Sequence, residues 1–120
     1  MGRGKTIALW ILQILLAALF LLSALPKLTG NPGIIGRFRD WGYPENFYLL
    51  VGGVELLGAV ALLIPRMAAY GASALVVIMI GASFTHLLHA EYPRVFFTGT
   101  LLVFLVLLAL ARRPTFLRRR

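Results

Sequence analysis

Four long apolar stretches dominate this chain of 120 residues and most constrain its fold. They cover approximately residues 7–25, 47–64, 67–88 and 95–111. A helix that crosses a bilayer needs about 17–25 mostly apolar residues. Soluble domains contain about 45–50% apolar and about 25% charged residues, whereas this chain contains 60% hydrophobic and 13% charged residues. We therefore predict an all-α fold in which residues 1–120 form a single membrane domain, a bundle of four transmembrane helices.

Prolines mark the predicted ends of the first two spans. The first span is expected to stop at Pro26, because proline lacks a backbone donor and does not easily continue a helix. The second is expected to stop at Pro65, where the following turn is too short for anything but a helical hairpin. The first apolar stretch also exceeds the 7–15 residues of a signal-peptide core, so we interpret it as a retained helix.

The chain has a net charge of +8, from 12 basic and four acidic residues. The positions of the basic residues indicate the role of this charge. Seven basic residues lie outside the first and last spans, and they are Arg3, Lys5, Arg112, Arg113, Arg118, Arg119 and Arg120. With four spans, one side of the membrane carries eight basic residues and the other carries four. Because basic flanks mark the cytoplasmic side, we predict a multi-pass protein of the inner (plasma) membrane with both termini, including the basic tail 112–120, in the cytoplasm. We expect the lipid bilayer, and no nucleic acid, as the partner of these charges.

A second, shorter helix is predicted between the first two spans. Ile34, Ile35, Phe38 and Trp41 recur at the spacing of one helical face, while charged residues occupy the other positions. Such an amphipathic helix lies at a membrane surface. We expect it on the extracytoplasmic side, where it would cover the end of the bundle.

Glu55 is the strongest candidate for a functional residue because it lies near the middle of the second span. A carboxylate at that depth is costly, faces the bundle interior and usually serves a function. Gly52, Gly58 and Ala59 lie three or four residues away on the same helical face. Since small residues allow helices to approach closely, Glu55 is predicted to point into the bundle. The alternative is a protonated glutamate that only bonds a neighbouring helix.

Other polar residues fall at two depths within the predicted bundle. At 1.5 Å per residue, Gln13 lies about 9 Å and Glu55 about 13 Å above the inner end, so a Gln13–Glu55 hydrogen bond is expected to be within reach. Lys27 and His86 lie nearer the outer end, with Ser83 one turn below His86. We predict that Gln13, Lys27, Glu55, Ser83 and His86 line a ligand site, although Lys27 would also fit a simple role of reaching the lipid headgroups.

Metal and thiol chemistry are not favoured. The chain has no cysteine, which removes thiolate ligands and disulfides. His86 and His89 share a helical face, but two histidines fall short of the three or four protein ligands of a zinc site. Glu91 is expected to lie in solvent. We therefore predict no metal site and no covalent cofactor.

Four segments, in order along the chain, resemble the DoxX-like family of small membrane proteins. They are ALFLLSALPKL at 18–28, GYP at 42–44 followed by GVELL at 53–57, LLIPR at 62–66, and IGASFTH at 80–86. The resemblance implies a four-helix membrane bundle in which Lys27, Glu55 and His86 match the recurrent polar residues. Members of that family include a subunit of a thiosulfate:quinone oxidoreductase and partners of larger redox assemblies, while distant relatives act as membrane chaperones.

Two hypotheses follow from that resemblance and from the polar residues. The first is an accessory subunit of a quinone-linked redox system, with a bound quinone contacting His86 or Lys27 and exchanging protons with Glu55. The second is a non-catalytic assembly, chaperone or structural subunit that docks on a larger membrane complex or on copies of itself. Whether the chain is itself an enzyme stays open at this point.

Overall fold

Five α-helices account for most of the computed structural model, which describes residues 3–112. They are α1 (Arg3–Leu28), α2 (Pro32–Asp40), α3 (Phe47–Leu62), α4 (Ala68–Leu88) and α5 (Tyr92–Ala111). A single 3₁₀ turn, Pro65–Met67, leads into α4. No strand occurs within the described residues, so the all-α prediction is confirmed for them. Residues 113–120 of the predicted basic tail lie outside the described range.

Three segments are long and apolar enough to cross a membrane, namely Arg3–Leu28, Pro65–Leu88 and Tyr92–Ala111. The chain is therefore a multi-pass membrane protein. The apolar helix α3 has 16 residues, which at 1.5 Å per residue gives about 24 Å. That length falls short of the ~30 Å hydrocarbon core of a typical bilayer. The expected second span is thus an apolar helix shorter than the other three.

The predicted end of the first span at Pro26 is wrong, because α1 continues through this proline to Leu28. A proline near the end of a helix removes only one hydrogen bond, and the following turn closes normally. Thr29 donates its backbone N–H to the Leu25 carbonyl at 2.9 Å, and Asn31 donates to Pro26 at 2.9 Å. The extra turn keeps Lys27 on the helix.

Helices α1, α3, α4 and α5 pack in that order, and α5 also touches α1. Each of these helices turns one face inward and leaves the opposite face apolar and exposed, as expected for a surface in contact with lipid. The largest side chains with almost no exposed surface are Phe20, Leu62, Leu75, Leu105, Leu108 and Gln13. The core therefore runs through the bundle, and the buried polar side chains of the described residues are Gln13, Glu55, Thr85, His86 and Thr98.

Glycines set the close approach of α3 to its two neighbours. A Cβ atom at Gly71 would lie 2.7 Å from the Ala61 Cβ and 2.8 Å from the Gly58 carbonyl oxygen. A Cβ at Gly52 would lie 2.8 Å from the Lys27 Cβ. These glycines bring α4 and α1 against α3, in agreement with the predicted small-residue face around Glu55.

The short helix α2 forms where the amphipathic pattern predicted it. Asn31 caps its first turn, since its side-chain oxygen accepts hydrogen bonds from the Gly33 and Ile34 backbones. Gly30 and Gly42 flank the helix with φ angles of 73° and 89°, a left-handed conformation that glycine adopts without strain. These two turns fold α2 back against α1 and α3.

We predict that Gly71→Ala destabilises the bundle by about 1–3 kcal/mol, because the added methyl overlaps a backbone carbonyl and overpacking costs this much. Gly53→Ala is the matched control, since its Cβ meets nothing within 4 Å. In that helix the control should stabilise by about 0.5–1 kcal/mol. Both variants would be purified in a mild detergent and unfolded by titration with a denaturing detergent, which measures the two changes in unfolding free energy. Equal shifts of the same sign would contradict the proposed close packing.

Candidate functional site

A cavity of about 520 Å³ lies between α1, α3, α4 and α5 and beneath α2. This volume falls within the ~300–1,000 Å³ of ordinary ligand sites. The apolar side chains of its wall include Leu19, Phe20, Val51, Val77, Met79 and Leu101. Polar and charged side chains also line this wall, but most of its accessible surface is apolar, which is usual for a small-molecule site.

One group of polar residues, which we call the Glu55 cluster, consists of Ser23, Lys27 and Glu55. Lys27 Nζ lies 3.1 Å from Glu55 Oε1 and donates to Ser23 Oγ at 2.8 Å. The Ser23 hydroxyl lies 3.1 and 3.2 Å from the two carboxylate oxygens. The Lys27 and Glu55 side chains are 13% and 3% exposed. The ammonium therefore compensates the buried carboxylate, and all three residues line the cavity.

The structure confirms that Glu55 points into the bundle, and it adds the partner that sequence reasoning missed. Two local features bring Lys27 to it. Helix α1 continues past Pro26, which places Lys27 one turn after Ser23 on the same face. Gly52 has no side chain where the Lys27 stem crosses to α3. The i, i+4 spacing of Ser23 and Lys27, together with the glycine three residues before Glu55, was the available signal.

A second group, the His86 cluster, consists of Trp41, His86 and Glu91. His86 Nδ1 lies 2.7 Å from Glu91 Oε1, and Trp41 Nε1 donates to Glu91 Oε2 at 3.3 Å. The Trp41 and His86 rings meet edge to face, with centroids 5.3 Å apart. The cluster thus ties the end of α2 to the α4–α5 connection.

Glu91 is partly exposed, with 30% of its side-chain surface accessible, but it does not lie free in solvent as expected, because it is paired with His86. Helix α4 ends at Leu88, and Ala90 then adopts a left-handed conformation with φ 57°. This turn lets the Glu91 backbone donate to the His86 carbonyl at 2.8 Å. The carboxylate therefore lies beside the imidazole of His86.

The Glu91 carboxylate determines the hydrogen-bonding state of His86. The hydrogen bond from His86 lowers the pKa of Glu91, although desolvation acts in the opposite direction. The hydrogen bond from Trp41 and the positive charge of Arg94 also lower this pKa. An ionised carboxylate only accepts hydrogen bonds, so Nδ1 carries a proton. The other ring nitrogen, Nε2, makes no hydrogen bond within residues 3–112, and His86 lines the cavity. That nitrogen is available to a ligand.

Gln13 does not contribute to this cavity, and the expected Gln13–Glu55 hydrogen bond is wrong. Gln13 Nε2 donates to the Leu62 carbonyl at 2.7 Å, and Arg112 Nε donates to Gln13 Oε1 at 2.6 Å. Carbonyls in the last turn of a helix lack partners within the helix, and Gln13 satisfies that of Leu62. Gln13 lies level with Leu62, about two helical turns along α3 from Glu55, so the expected similarity in depth between Gln13 and Glu55 is also wrong.

Ser83 is also absent from the cavity wall. Its hydroxyl lies 2.7 Å from the Thr98 hydroxyl and joins α4 to α5. Thr85, two residues later, does line the cavity and bonds the Tyr43 hydroxyl. Among the predicted ligand residues, the structure therefore brings Lys27, Glu55 and His86 to one cavity.

Aromatic side chains close the cavity beneath α2. The Phe38 ring packs against Trp41 and Tyr43, with centroids 5.3 and 5.7 Å apart. Tyr43 stacks on Phe47 at 4.8 Å. Phe38, Trp41, Tyr43 and Phe47 all line the cavity. The predicted cover over the bundle is thus built of aromatic rings from α2 and the segment that follows it.

Within residues 3–112, no group of three or more His, Cys, Asp or Glu side chains is arranged to hold a metal ion. His89, considered with His86, hydrogen-bonds the Thr85 carbonyl at 2.8 Å through Nδ1. The polar residues that line the cavity, including Lys27, Glu55 and His86, are the described residues placed to contact a bound molecule.

The sequence was compared with known families, curated proteins and solved structures. The sequence model of the DoxX-like family matches residues 11–109. No curated protein and no solved structure matches the chain. The matched range contains every residue of the Glu55 and His86 clusters.

We predict that Lys27→Met costs about 3–5 kcal/mol of stability, because it leaves the Glu55 carboxylate buried without its cation. Replacing both residues, Lys27→Met with Glu55→Met, should recover most of that loss, since no charge then stays buried. Thermal unfolding of the three proteins in detergent would measure this coupling. The exposed Arg39→Gln provides the control for removing one positive charge. A double variant as unstable as the sum of the single variants would contradict the pairing.

The His86 cluster is predicted to respond to acid. Because Glu91 has a lowered pKa in the folded protein, its contribution to stability is complete above the ordinary glutamate pKa of about 4.3. The contribution is lost as the pH falls further through the lowered pKa. Trp41 fluorescence in a Trp10→Phe background should change over that acidic range. Glu91→Gln should abolish the change, and a change that persists in this variant would exclude Glu91 as its source.

Proposed function

Since the chain belongs to the DoxX-like family, we propose that it holds a quinone-type molecule in the cavity and serves a quinone-linked membrane redox system as an accessory subunit. The observation that carries the proposal is that one largely apolar cavity is bordered by both the Glu55 cluster and the His86 cluster. A quinone has an apolar ring with two carbonyl oxygens, so it needs an apolar space with hydrogen-bond donors at separate points.

The two clusters offer different contacts to such a ring. His86 accepts at Nε2 when neutral and donates there when protonated, so it can bond either a quinol hydroxyl or a quinone carbonyl. Its orientation is held by Glu91. The second oxygen would meet the Ser23 hydroxyl or the Lys27 ammonium. Binding would thus use both His86 and Lys27, whereas the sequence suggested a contact with one or the other.

Glu55 is placed to exchange protons with the ligand. Reduction of a quinone to a quinol takes up two electrons and two protons. The chain has no cysteine, and electrons would come from a redox centre of a partner protein in the proposed complex. Glu55, in contact with Ser23 and Lys27, would pass protons to and from the bound ring. The chain would then bind and protonate the molecule that its partner reduces.

In the proposed topology the chain lies in the inner membrane, with both termini in the cytoplasm. It treats α3 as a fourth crossing and α2 as a helix on the extracytoplasmic surface. The distribution of basic residues supports this orientation, because eight lie on the side of the termini and four on the other. A short α3 is compatible with crossing, since a bilayer thins around a short helix at modest cost.

The structure gives less support to the alternative hypothesis, in which the chain is an assembly or chaperone subunit. That hypothesis used the small residues of α3 as a docking face and Glu55 as a group for a partner. Gly52, Gly58 and Ala59 are buried between helices of this chain, and Glu55 is paired with Lys27. Neither is presented to a partner protein.

The test is equilibrium binding of a short-chain benzoquinone to the full chain in nanodiscs of zwitterionic lipid. We expect His86→Ala and Glu55→Gln each to weaken binding at least tenfold. Ser73→Ala is the control, because Ser73 bonds only the Ala69 carbonyl of its own helix and should bind as the parent does.

Unchanged affinity in both cavity variants would overturn the proposal. Because Glu55→Gln also alters a buried pair, His86→Gln gives a second measurement that leaves the Glu55 cluster intact. Purification from native membranes adds an independent outcome. A stoichiometric partner without any extracted quinone would favour the assembly hypothesis instead.

A further inference from the structure

The charged side chains of the cavity wall do not balance. Three cations, Lys27, Arg37 and Arg94, and one carboxylate, Glu55, line it. Lys27 and Glu55 form an ion pair, which leaves the two arginines. Neither guanidinium makes a hydrogen bond or a salt bridge to another side chain of residues 3–112. The wall therefore carries an excess of positive charge that the proposed quinone does not use.

The two arginines flank the same contact at the edge of the cavity beneath α2. Arg37 lies one helical turn before Trp41, whose backbone donates to the Arg37 carbonyl at 3.0 Å. Arg94 lies one turn after Glu91, with its backbone bonded to the Glu91 carbonyl at 3.0 Å. Trp41 and Glu91 are joined by their side chains. We call this edge the mouth of the cavity.

Glu91 does not neutralise the mouth. Its two carboxylate oxygens already accept hydrogen bonds from His86 and Trp41. Counting its one negative charge beside the cavity still leaves one uncompensated positive charge among Arg37, Arg94 and Glu91. An arginine guanidinium keeps its charge at any physiological pH and forms paired hydrogen bonds with carboxylates and phosphates. The mouth is thus suited to an anion.

An apolar wall lies directly behind this mouth, with Leu19, Val51, Val77 and Leu101 among its side chains. A small hydrated anion would gain nothing from such a surface, whereas an alkyl chain would gain about 0.8 kcal/mol for each buried CH₂ group. A ligand that fits both features has an acidic head and one apolar chain.

We propose that the cavity binds an acidic single-chain amphiphile, such as a fatty carboxylate, with its head at Arg37 and Arg94 and its chain in the apolar interior. This inference rests on the proposed function in one respect, since such a ligand would occupy the space assigned to the quinone. The acid would therefore regulate the site by excluding the quinone. The recognition itself uses the arginines, whereas quinone binding uses His86 and the Glu55 cluster.

The test uses Trp41 as a reporter at the mouth, in a Trp10→Phe variant of the full chain in zwitterionic nanodiscs. Bromine-labelled dodecanoate is the probe, because bromine quenches tryptophan fluorescence on close approach. The equally labelled dodecanol is its neutral control. We expect dodecanoate to quench at concentrations at least tenfold lower than dodecanol, and Arg37→Gln with Arg94→Gln to remove that difference.

Arg39→Gln is the matched control for the arginine variants. Arg39 is on the same helix and carries the same charge, but it does not line the cavity. Its variant should keep at least half of the parent affinity for dodecanoate. All three arginines are exposed, so their replacement leaves the packed core intact and each variant should keep the parent's unfolding temperature.

Two further arms identify the source of the anion. Inorganic phosphate should not displace the probe, and nanodiscs with anionic phospholipid should reduce its binding by less than threefold. Displacement by either at a low concentration would assign the mouth to phosphate groups and overturn the single-chain proposal. Equal binding of dodecanoate and dodecanol, or full binding by the double arginine variant, would also overturn it.

The same assay separates this inference from the proposed function. Added benzoquinone should displace dodecanoate, and His86→Ala should weaken the quinone far more than the acid. Dodecanoate binding that depends on the arginines, without any quinone binding, would leave the acid site intact and reject the quinone. Quinone binding that depends on His86, without arginine-dependent acid binding, would do the reverse.

Discussion

The ion pair between Lys27 and Glu55 is the interaction on which the arrangement of the other parts depends. A carboxylate in the interior of a membrane bundle is costly unless a cation accompanies it. Bringing the cation there requires that α1 continue past Pro26 and that Gly52 leave space for the lysine stem. Those two conditions hold α1 against α3. The cavity opens beside this contact, so the same pair that fixes the packing also lines the candidate site.

Much of the fold could be predicted because hydropathy marks the helices that lie in lipid, and prolines mark many of the places where helices begin or end. The prolines at 65 and 93 fall at the starts of helical segments, where proline is well tolerated. Pro26 was misleading, since it lies inside the last turn of a long helix. The sequence contains no local signal for that difference. The additional turn is closed by backbone hydrogen bonds from Thr29 and Asn31, and it allows Lys27 to pair with Glu55 on α3.

The candidate site was predictable in its residue types and less so in its contacts. Glu55, Lys27 and His86 stood out because each is polar in an apolar sequence, and all three line the cavity. Residue spacing measures distance along one helix, but it does not say how far neighbouring helices are shifted along their axes or which neighbour a side chain faces. For that reason Gln13 was assigned to Glu55, although it bonds Leu62. Glu91 was missed because a left-handed turn at Ala90 brings it beside His86.

The separation of paired and unpaired charge suggests how one cavity could distinguish its ligands. A neutral molecule gains from the Glu55 cluster because its ion pair offers hydrogen bonds with no net charge. An acid gains from Arg37 and Arg94 only while it is ionised, and its protonated form has no such preference over the bilayer. Ligand choice would then depend on the protonation of the ligand at the mouth. The excess positive charge in the cavity wall would therefore act on ligand choice, in contrast to the charge at the chain termini, which is proposed to set the orientation in the membrane.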